Sequence, residues 1–178
     1  MNALLYTHSY YSFGRGVASP TTLVKRAREL GYQALALTDE LSIAGFVEFA
    51  QAAREHGVTP LFGATVPLTV GSETGHVVLL IQNRTGFTNV NELITLALAR
   101  EHEHVTLREL HRHREGVLLL TGGRGGLVPR LLAAQRTEYA QRVLNILAHS
   151  FAGRCYVQLF HDRYRWDDRR VRVLTRLA

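Results

Sequence analysis

Short apolar runs alternate with amphipathic stretches along the first half of the chain. The runs "NALLYT", "ALALT", "TPLFGATVPL" and "HVVLLIQ" have the length of strands, and "ALALT" suits a strand buried on both faces. Between these runs, apolar residues recur every three or four positions, which is the period of a helix. This alternation predicts an α/β fold with a largely parallel sheet.

The first two predicted helices have recognisable ends. Ser19 and Pro20 suit the N-cap and the first position of one helix, and Gly31 suits its C-terminal stop. Ser42 is the expected N-cap of the second helix, which would end before Gly57. The residues expected to face inward from the second helix are Phe46, Val47, Phe49, Ala50 and Ala53.

The second half of the chain predicts further helices and two strands. "NVNELITLALAREH" and "TLRELHRHRE" are expected to be helical, as are residues about 127–135, 138–149 and 167–178. "GVLLLTG" and "RCYVQLF" are the expected strands. The last helix, "RVRVLTRLA", has an apolar face that a following strand would bury. We therefore expect one domain over residues 1–178 that is incomplete at its C-terminal end, before its last strands.

The balance of charge is basic, with a formal net charge of +6. Arginine supplies nearly all of the excess, because Lys25 is the only lysine. The arginines concentrate in "HDRYRWDDRRVRVLTR", which would either attract nucleic acid or form an ordinary solvated surface. Asp162, Asp167 and Asp168 are interleaved with these arginines and weaken the case for a phosphate-binding track.

The single cysteine, Cys155, excludes an internal disulfide and a cysteine-based metal cluster. It lies in an apolar run, so an inert buried thiol is expected. This cysteine usage favours a cytoplasmic protein. The apolar runs are too short to span a bilayer, and no membrane partner is expected. "GGRGG", residues 122–126, lacks the lysine and hydroxyl residue of a P-loop, which favours a plain turn.

Several potential metal ligands lie at the ends of the predicted strands. His8 follows the first strand, Asp39 and Glu40 follow the second, and His76 begins the fourth. In a parallel α/β barrel, functional residues gather where strands end, so these side chains could supply nitrogen and oxygen ligands to Zn²⁺ or Mn²⁺. Residues of these types at strand ends are also common as hydrogen-bonded structural residues, and spacing alone does not separate the two.

Four segments, in the same order, resemble one family. They are "YTHSYYSFGRGVASPTTLVKRARELGYQALALTDELSIAGFVEFAQAAREHGVTPLFGATVPL", "HVVLLIQNRTGFTNVNELITLA", "GVLLLTGGRGGLVPRLLAA" and "YVQLF". They resemble the PHP (polymerase and histidinol phosphatase) domain that opens the alpha subunits of bacterial DNA polymerase III. "SFGRGVASP" and "TDELSIAGFVEF" are closer to the error-prone alpha subunits. The resemblance implies a distorted seven-stranded TIM-like barrel with a metal cluster at the carboxyl ends of its strands, here C-terminally incomplete.

This sequence departs from the ligand pattern that the resemblance implies. His8 and His76 keep the residue type of ligands, Glu40 is a conceivable substitute, and Asp39 beside it belongs to the same degenerate remnant. The positions at which ligands are lost are Tyr6, Arg15, Thr65 and Gly123. A guanidinium next to divalent metal ions would be strongly unfavourable, so we expect Arg15 to pair with Asp39 or Glu40 instead.

Three functions follow as alternatives. The resemblance favours a PHP domain with a degenerate metal site and a mainly structural role, in a polymerase of DNA replication or error-prone lesion bypass. No cofactor and no catalytic residue are then assigned to this domain. Its expected partners are the rest of the polymerase chain, a proofreading exonuclease or other replication and repair proteins, and DNA through the parent polymerase. The second alternative is a metal-dependent phosphoesterase or 3′–5′ exonuclease that keeps a reduced Zn or Mn site. The third is a nucleic-acid-binding module that uses the late arginines.

Overall fold

The strands and helices follow the order that the hydrophobic pattern predicts, with one added short strand, Val105–Thr106, that the pattern did not predict. The computed structural model describes residues 2–160 and 167–177. The strands are Ala3–Leu4 (β1), Ala34–Leu37 (β2), Thr59–Val70 (β3), Glu73–Ile81 (β4), Val105–Thr106 (β5), Val117–Leu120 (β6) and Cys155–Tyr156 (β7). The helices are Pro20–Glu29 (α1), Phe46–His56 (α2), Arg84–Leu98 (α3), Leu107–Arg112 (α4), Leu127–Ala133 (α5), Thr137–Ser150 (α6) and Asp167–Leu177 (α7).

The strands form one mixed sheet in the order β1-β2-β3-β4-β6-β7, with β5 paired to β3. β1, β2 and β3 pair in parallel, as do β6 and β7, in agreement with the prediction. β4 is the exception to this largely parallel arrangement, because it is antiparallel to both β3 and β6. The reason lies in the connection: two residues join Val70 to Glu73, and a parallel crossover needs about a dozen.

The sheet curls into a half-barrel whose edge strands, β1 and β7, are not paired with each other. Within the described residues, β1 pairs with β2 alone and β7 pairs with β6 alone. The α/β class is therefore confirmed, whereas a closed seven-stranded TIM-like barrel stays a prediction. No helix in the described part of the chain is long and apolar enough to cross a membrane.

Three clusters of buried residues hold the fold together. The largest extends from Leu41 to Leu174 and joins β3, β4 and β6 to the helices α3, α5 and α6. A second cluster packs α1 and α2 against β2. A smaller third cluster, on another face of the sheet, contains Ala36, Val78, Leu80 and Leu120.

One apolar residue of α7 lies in the core of the described residues. Leu174 is only 1% exposed and belongs to the largest cluster, and α7 contacts α5. The expectation that the domain continues into further strands stays a prediction.

The two predicted helix starts have different outcomes. Ser19 is the N-cap of α1, and its side chain accepts a hydrogen bond from the backbone N–H of Thr22, as predicted. The prediction for Ser42 is wrong, because α2 begins at Phe46 and Ser42 instead accepts from the N–H of Ala44 in the preceding turn. Val47, expected to face inward, is 71% exposed.

Candidate functional site at the strand ends

The loop after β1 folds back tightly beside the end of β2. The N–H of Tyr10 donates to the carbonyl oxygen of Ala18 (2.9 Å), which closes the loop from Ser9 to Ala18. A Cβ atom on Gly16 would lie 2.0 Å from the carbonyl oxygen of Ser9, so this close approach requires glycine. The loop therefore holds its side chains in fixed positions over the end of the sheet.

Asp39, which directly follows β2, is 1% exposed and has partners on both carboxylate oxygens. Its Oδ1 accepts from the N–H of Ser9 and from the hydroxyl of Ser12, each at 2.6 Å. Its Oδ2 accepts from the hydroxyl of Ser9 at 2.7 Å. The hydroxyl of Ser12 also accepts from the N–H of Glu40 (3.0 Å). The carboxylate is thus a structural anchor for the loop, because each of its oxygens is engaged by a protein donor.

Arg15 and Glu40 form an ion pair at the solvent-facing side of this loop. A second guanidinium nitrogen of Arg15, Nη2, lies 3.4 Å from Oε1 of Glu40. The side chains are 45% and 25% exposed, respectively. The expected pairing of Arg15 with Asp39 or Glu40 is therefore confirmed, with Glu40 as the partner.

His8 faces the hydroxyl of Thr65 on β3, with Nε2 3.0 Å from Oγ1. The Thr65 hydroxyl donates its own proton to the carbonyl oxygen of Thr38 at 2.8 Å. Because a hydroxyl has one proton to give, the network assigns the N–H of the imidazole to Nε2. Burial lowers the pKa of His8, and the nearby Asp39 carboxylate opposes this effect.

His76 is 5% exposed and packs into the glycine-rich turn after β6. A Cβ atom on Gly125 would lie 2.5 Å from its Cε1, and a Cβ atom on Gly122 would lie 2.9 Å from its Cδ2. The turn therefore accommodates an imidazole ring, which supports the plain turn favoured by the sequence. Burial, followed by the charge of Arg15, lowers the pKa of His76 to about 4.

The Tyr6 ring joins the two histidines. It meets His8 edge-on, with ring centroids 4.8 Å apart, and stacks on His76 at 6.3 Å. Its hydroxyl oxygen is 3.4 Å from Nε2 of His76, and burial raises the pKa of Tyr6. Gly123 lies on the same side, since a Cβ atom there would be 3.5 Å from the Tyr6 ring.

All eight positions singled out in the sequence therefore belong to one group of contacts. Tyr6 links Gly123, His8 and His76, and His8 links to Thr65. Thr65 forms a parallel bridge with Glu40, which pairs with Arg15 and follows Asp39 in the chain. The antiparallel direction of β4 explains the place of His76: its residue 76 lies opposite Pro67, near the carboxyl end of β3.

Ser9 and Ser12 are the residues that the sequence interpretation missed. They supply three of the hydrogen bonds that surround Asp39. Their only sequence signal is a spacing of three residues in a loop, which is common in ordinary turns. Their role depends on a carboxylate 27 and 30 residues further along the chain, which a local pattern does not reveal.

The residues present do not fit a cluster of divalent metal ions. The Asp39 oxygens accept hydrogen bonds from serine hydroxyls, and Glu40 is paired with Arg15. Nε2 of His8 is hydrogen-bonded to Thr65. Within residues 2–160 and 167–177, no group of three or more histidine, cysteine, aspartate or glutamate side chains could hold a metal ion. An ion entering here would have to displace several protein hydrogen bonds and approach a permanent guanidinium charge.

Two other predicted features lie away from this group. Burial raises the pKa of Cys155 to about 11, which agrees with an inert thiol. Among the late basic residues, Arg163 and Arg165 lie outside the described residues, as does Asp162. Arg172 and Arg176 are exposed on α7. Asp167, at the start of α7, is buried, and Arg124 lies 3.7 Å from it.

The fold and the polar residues at its strand ends define an α/β domain with a curled half-barrel sheet and a histidine- and carboxylate-containing centre. The PHP domain family matches residues 5–161, and the chain belongs to this family.

Proteins named as polymerases are among its relatives. The DNA polymerase III subunit alpha of Vibrio cholerae is 33% identical over 162 residues, which cover 87% of this chain and 14% of the relative. The Error-prone DNA polymerase of Symbiobacterium thermophilum is 32% identical over 178 residues, which cover 89% of this chain and 16% of the relative. The chain thus spans about a sixth or less of the length of these polymerases.

The same fold occurs in a solved structure of much lower sequence identity. A candidate metal-dependent phosphoesterase from Bifidobacterium adolescentis superimposes with a TM-score of 0.65 and 13% identity. The match covers 99% of this chain and 84% of that protein. At this identity the likeness concerns the fold.

Proposed function

We propose that this chain is the PHP domain of a bacterial DNA polymerase III alpha-type polymerase and serves it as a structural scaffold, with a degenerate metal site. The relatives named DNA polymerase III subunit alpha and Error-prone DNA polymerase support this choice of parent protein. The observation that carries the scaffolding role is the ion pair between Arg15 and Glu40 in the group of strand-end residues. Replication and error-prone lesion bypass are both compatible with it.

The charge at the strand ends supports the proposal. A site for several divalent ions needs an excess of carboxylates to balance their charge. Here the Arg15 guanidinium neutralises Glu40, and His8 and His76 both have lowered pKa values, so they are neutral at neutral pH. The same residues that would hold ions instead connect the loop after β1 to β2, β3 and β4.

The scaffold itself is one structural unit in this proposal. The largest buried cluster runs from Leu41 to Leu174, which supports a single domain over residues 1–178. An open cavity of about 660 Å³ is lined by Leu5, which directly follows β1, and by residues of other strands, among them Leu61, Leu80 and Leu118. This apolar surface supports closure into a seven-stranded TIM-like barrel within the polymerase. The rest of that chain, other replication or repair proteins and, through the polymerase, DNA are the proposed partners.

Metal analysis and hydrolysis assays test the proposal directly. The purified protein would be equilibrated with Zn²⁺ or Mn²⁺, passed through a desalting column and analysed for bound metal by mass spectrometry. It would then be assayed with a chromogenic phosphodiester and with 3′-labelled single-stranded DNA. We expect metal well below one equivalent and no turnover above background. H8A and the matched surface variant H102A should both behave like the wild type.

Stoichiometric metal, with turnover that is lost in H8A and kept in H102A, would overturn the proposal in favour of a phosphoesterase or 3′–5′ exonuclease. A second assay concerns the scaffold in the full-length polymerase. D39A, which removes the anchor of the first loop, should make primer extension heat-labile, whereas H102A should not. Equal heat stability of both variants would contradict the scaffolding role.

A further inference from the structure

The loop between β1 and α1 presents two apolar side chains almost entirely to solvent. Phe13 is 95% exposed and Val17 is 98% exposed. Among the residues that the structure describes, the next most exposed large apolar side chain is that of Val47, at 71%. We call Phe13 and Val17 the loop tip. Single exposed apolar residues are ordinary on a protein surface, so the case for a function depends on the surroundings of the loop tip.

The backbone of the loop tip is held in a tight turn. The carbonyl oxygen of Ser12 accepts from the N–H groups of Arg15 and Gly16, at 3.0 and 3.1 Å. The N–H of Ser12 donates in turn to the carbonyl oxygen of Ser9 at 3.0 Å. Phe13 lies inside this turn, and the residue after Gly16 is Val17. The exposed side chains are therefore attached to an ordered backbone.

Side-chain contacts fix the same loop to the rest of the domain. The hydroxyl groups of Ser9 and Ser12 donate to the buried Asp39 carboxylate. On the other side, the hydroxyl of Tyr10 donates to Oε2 of Glu48 on α2 at 3.0 Å. A surface that is already ordered loses little conformational entropy when it binds a partner. The loop tip is thus preorganised for contact.

The loop itself carries no unbalanced charge. Arg15 is the only charged residue between Ser9 and Ala18, and it is paired with Glu40. The centres of protein–protein interfaces are poor in charged residues and rich in aromatic ones. The surface that fits the loop tip is therefore an apolar, uncharged groove of a polypeptide.

The small area of the loop tip limits the kind of partner. An aromatic side chain buries about 150–250 Å², and the smaller valine adds less. A stable interface between separate proteins buries about 800 Å² on each partner, well above what these two side chains supply. Interfaces within one chain can be smaller, because the covalent link keeps both surfaces at a high effective concentration. The area therefore favours a partner in the same polypeptide over a second copy or a separate protein.

We propose that the loop tip is an intramolecular docking surface, and that Phe13 and Val17 insert into an apolar groove in another part of the polymerase chain. This inference rests on the proposed function, because it takes the chain to be one domain of a polymerase. The matched residues cover 14% and 16% of the two polymerase relatives, so most of such a chain lies outside this domain and is available to form the groove.

Hydroxyl-radical footprinting of the full-length polymerase tests the proposal without any substitution. Peptide mass spectrometry measures the oxidation rate of Phe13 in the native protein and in a proteolytic digest of the same protein. We expect oxidation in the native protein to be at least about fivefold slower than in the digest, because a docked side chain is shielded from solvent. It should also be slower than that of Phe87, which is 41% exposed on α3 in this domain. A rate close to that of the digest would overturn the proposal.

Dilution separates the intramolecular partner from a second copy. Protection of Phe13 within one chain should not change when the polymerase is diluted about tenfold, whereas protection by another molecule is lost. Loss of protection on dilution would therefore overturn the proposal.

Two matched valine variants of the full-length polymerase test whether the loop tip acts as a unit. V17S should raise the oxidation rate of Phe13 at least about twofold, because it removes half of the docked surface. V47S, which makes the same change at the exposed valine of α2, should leave that rate unchanged. Equal rates in the two variants would contradict joint insertion of Phe13 and Val17.

Failure of this inference can be told from failure of the proposed function. The heat stability of D39A and H102A tests the scaffolding role, and neither variant alters Phe13 or Val17. A heat-labile D39A polymerase in which wild-type Phe13 is oxidised as in the digest would overturn the docking surface and leave the scaffolding role in place.

Discussion

Nε2 of His8 and Oγ1 of Thr65 lie 3.0 Å apart, and the Thr65 hydroxyl donates a hydrogen bond to the carbonyl oxygen of Thr38. This relay joins the ends of β1, β2 and β3 through side chains that are 57 and 27 residues apart in the chain. It also places an N–H, not a lone pair, on the imidazole nitrogen that faces the sheet. His8 thereby stabilises the packing of these three strand ends.

Removal of the hydroxyl in this relay should destabilise the domain. T65V keeps the shape of the side chain, but it leaves the N–H of His8 and the carbonyl oxygen of Thr38 without their partner. Thr65 is fully buried, and we expect a loss of about 1–3 kcal/mol in the free energy of unfolding. Urea denaturation measures it. T74V, at an exposed hydrogen bond between β3 and β4, is the control and should change little.

The ion pair of Arg15 should contribute little to stability despite its position. Both of its side chains are partly exposed, so R15A should lower the free energy of unfolding by less than about 1 kcal/mol, and less still at high salt. R15E places three acids near one another and should cost more than R15A. A comparison of the two variants at low and high salt checks this. R15E as stable as the wild type at low salt would contradict the pairing.

Substitutions that remove the hydrogen bonds between Asp39 and its serine partners should destabilise the protein far more than loss of the Arg15 ion pair. S12A removes the donor to Oδ1 of Asp39 and the acceptor of the Glu40 N–H, at an expected cost of about 1–3 kcal/mol. D39A leaves three buried donors unpaired and should cost at least about 3 kcal/mol. Urea denaturation of both variants gives the comparison. S42A, which loses one local hydrogen bond in a turn, should be nearly neutral.

His76 should make the protein sensitive to acid. Its pKa is about 4 when folded, against about 6.5 in an unfolded chain, so the unfolded state binds more protons between these values. Stability is therefore complete above about pH 6.5 and falls as the pH drops towards 4. We expect the wild type to lose on the order of 2–3 kcal/mol more than H76Q over this range. Urea denaturation across the range measures the difference, and H102Q should follow the wild-type curve.

Two glycines of one turn should differ in their sensitivity to the same substitution. A methyl group on Gly125 would lie 2.5 Å from Cε1 of His76, so G125A should cost about 1–3 kcal/mol. At Gly123 the nearest atom is 3.5 Å away, an ordinary contact, and G123A should stay within about 0.5 kcal/mol of the wild type. Neither glycine has the positive φ that would strain alanine. Thermal melts of the two variants test the packing of the imidazole, and equal melting temperatures would contradict it.

Features whose cause lies within a few residues could be predicted from the sequence. Ser19 and Pro20 start α1 because the cap and the restricted φ act locally, and the run of apolar residues makes β2 a buried strand. The pairing of Arg15 with an acid was predicted through the family resemblance, which implies an acidic ligand at this position. The choice of Glu40 over Asp39 was not, because it depends on the two serines that already occupy Asp39.

The sequence by itself therefore determined the order of strands and helices, the α/β class and the set of residues that gather at the strand ends. Only the tertiary structure decided the antiparallel direction of β4, the exposure of Val47 and the partner of each polar side chain. The physical reason is one of range. Caps, turns and periodicity act over a few residues, whereas the hydrogen bonds of His8, Asp39 and Thr65 join positions 27 to 57 residues apart that meet only when the sheet has formed.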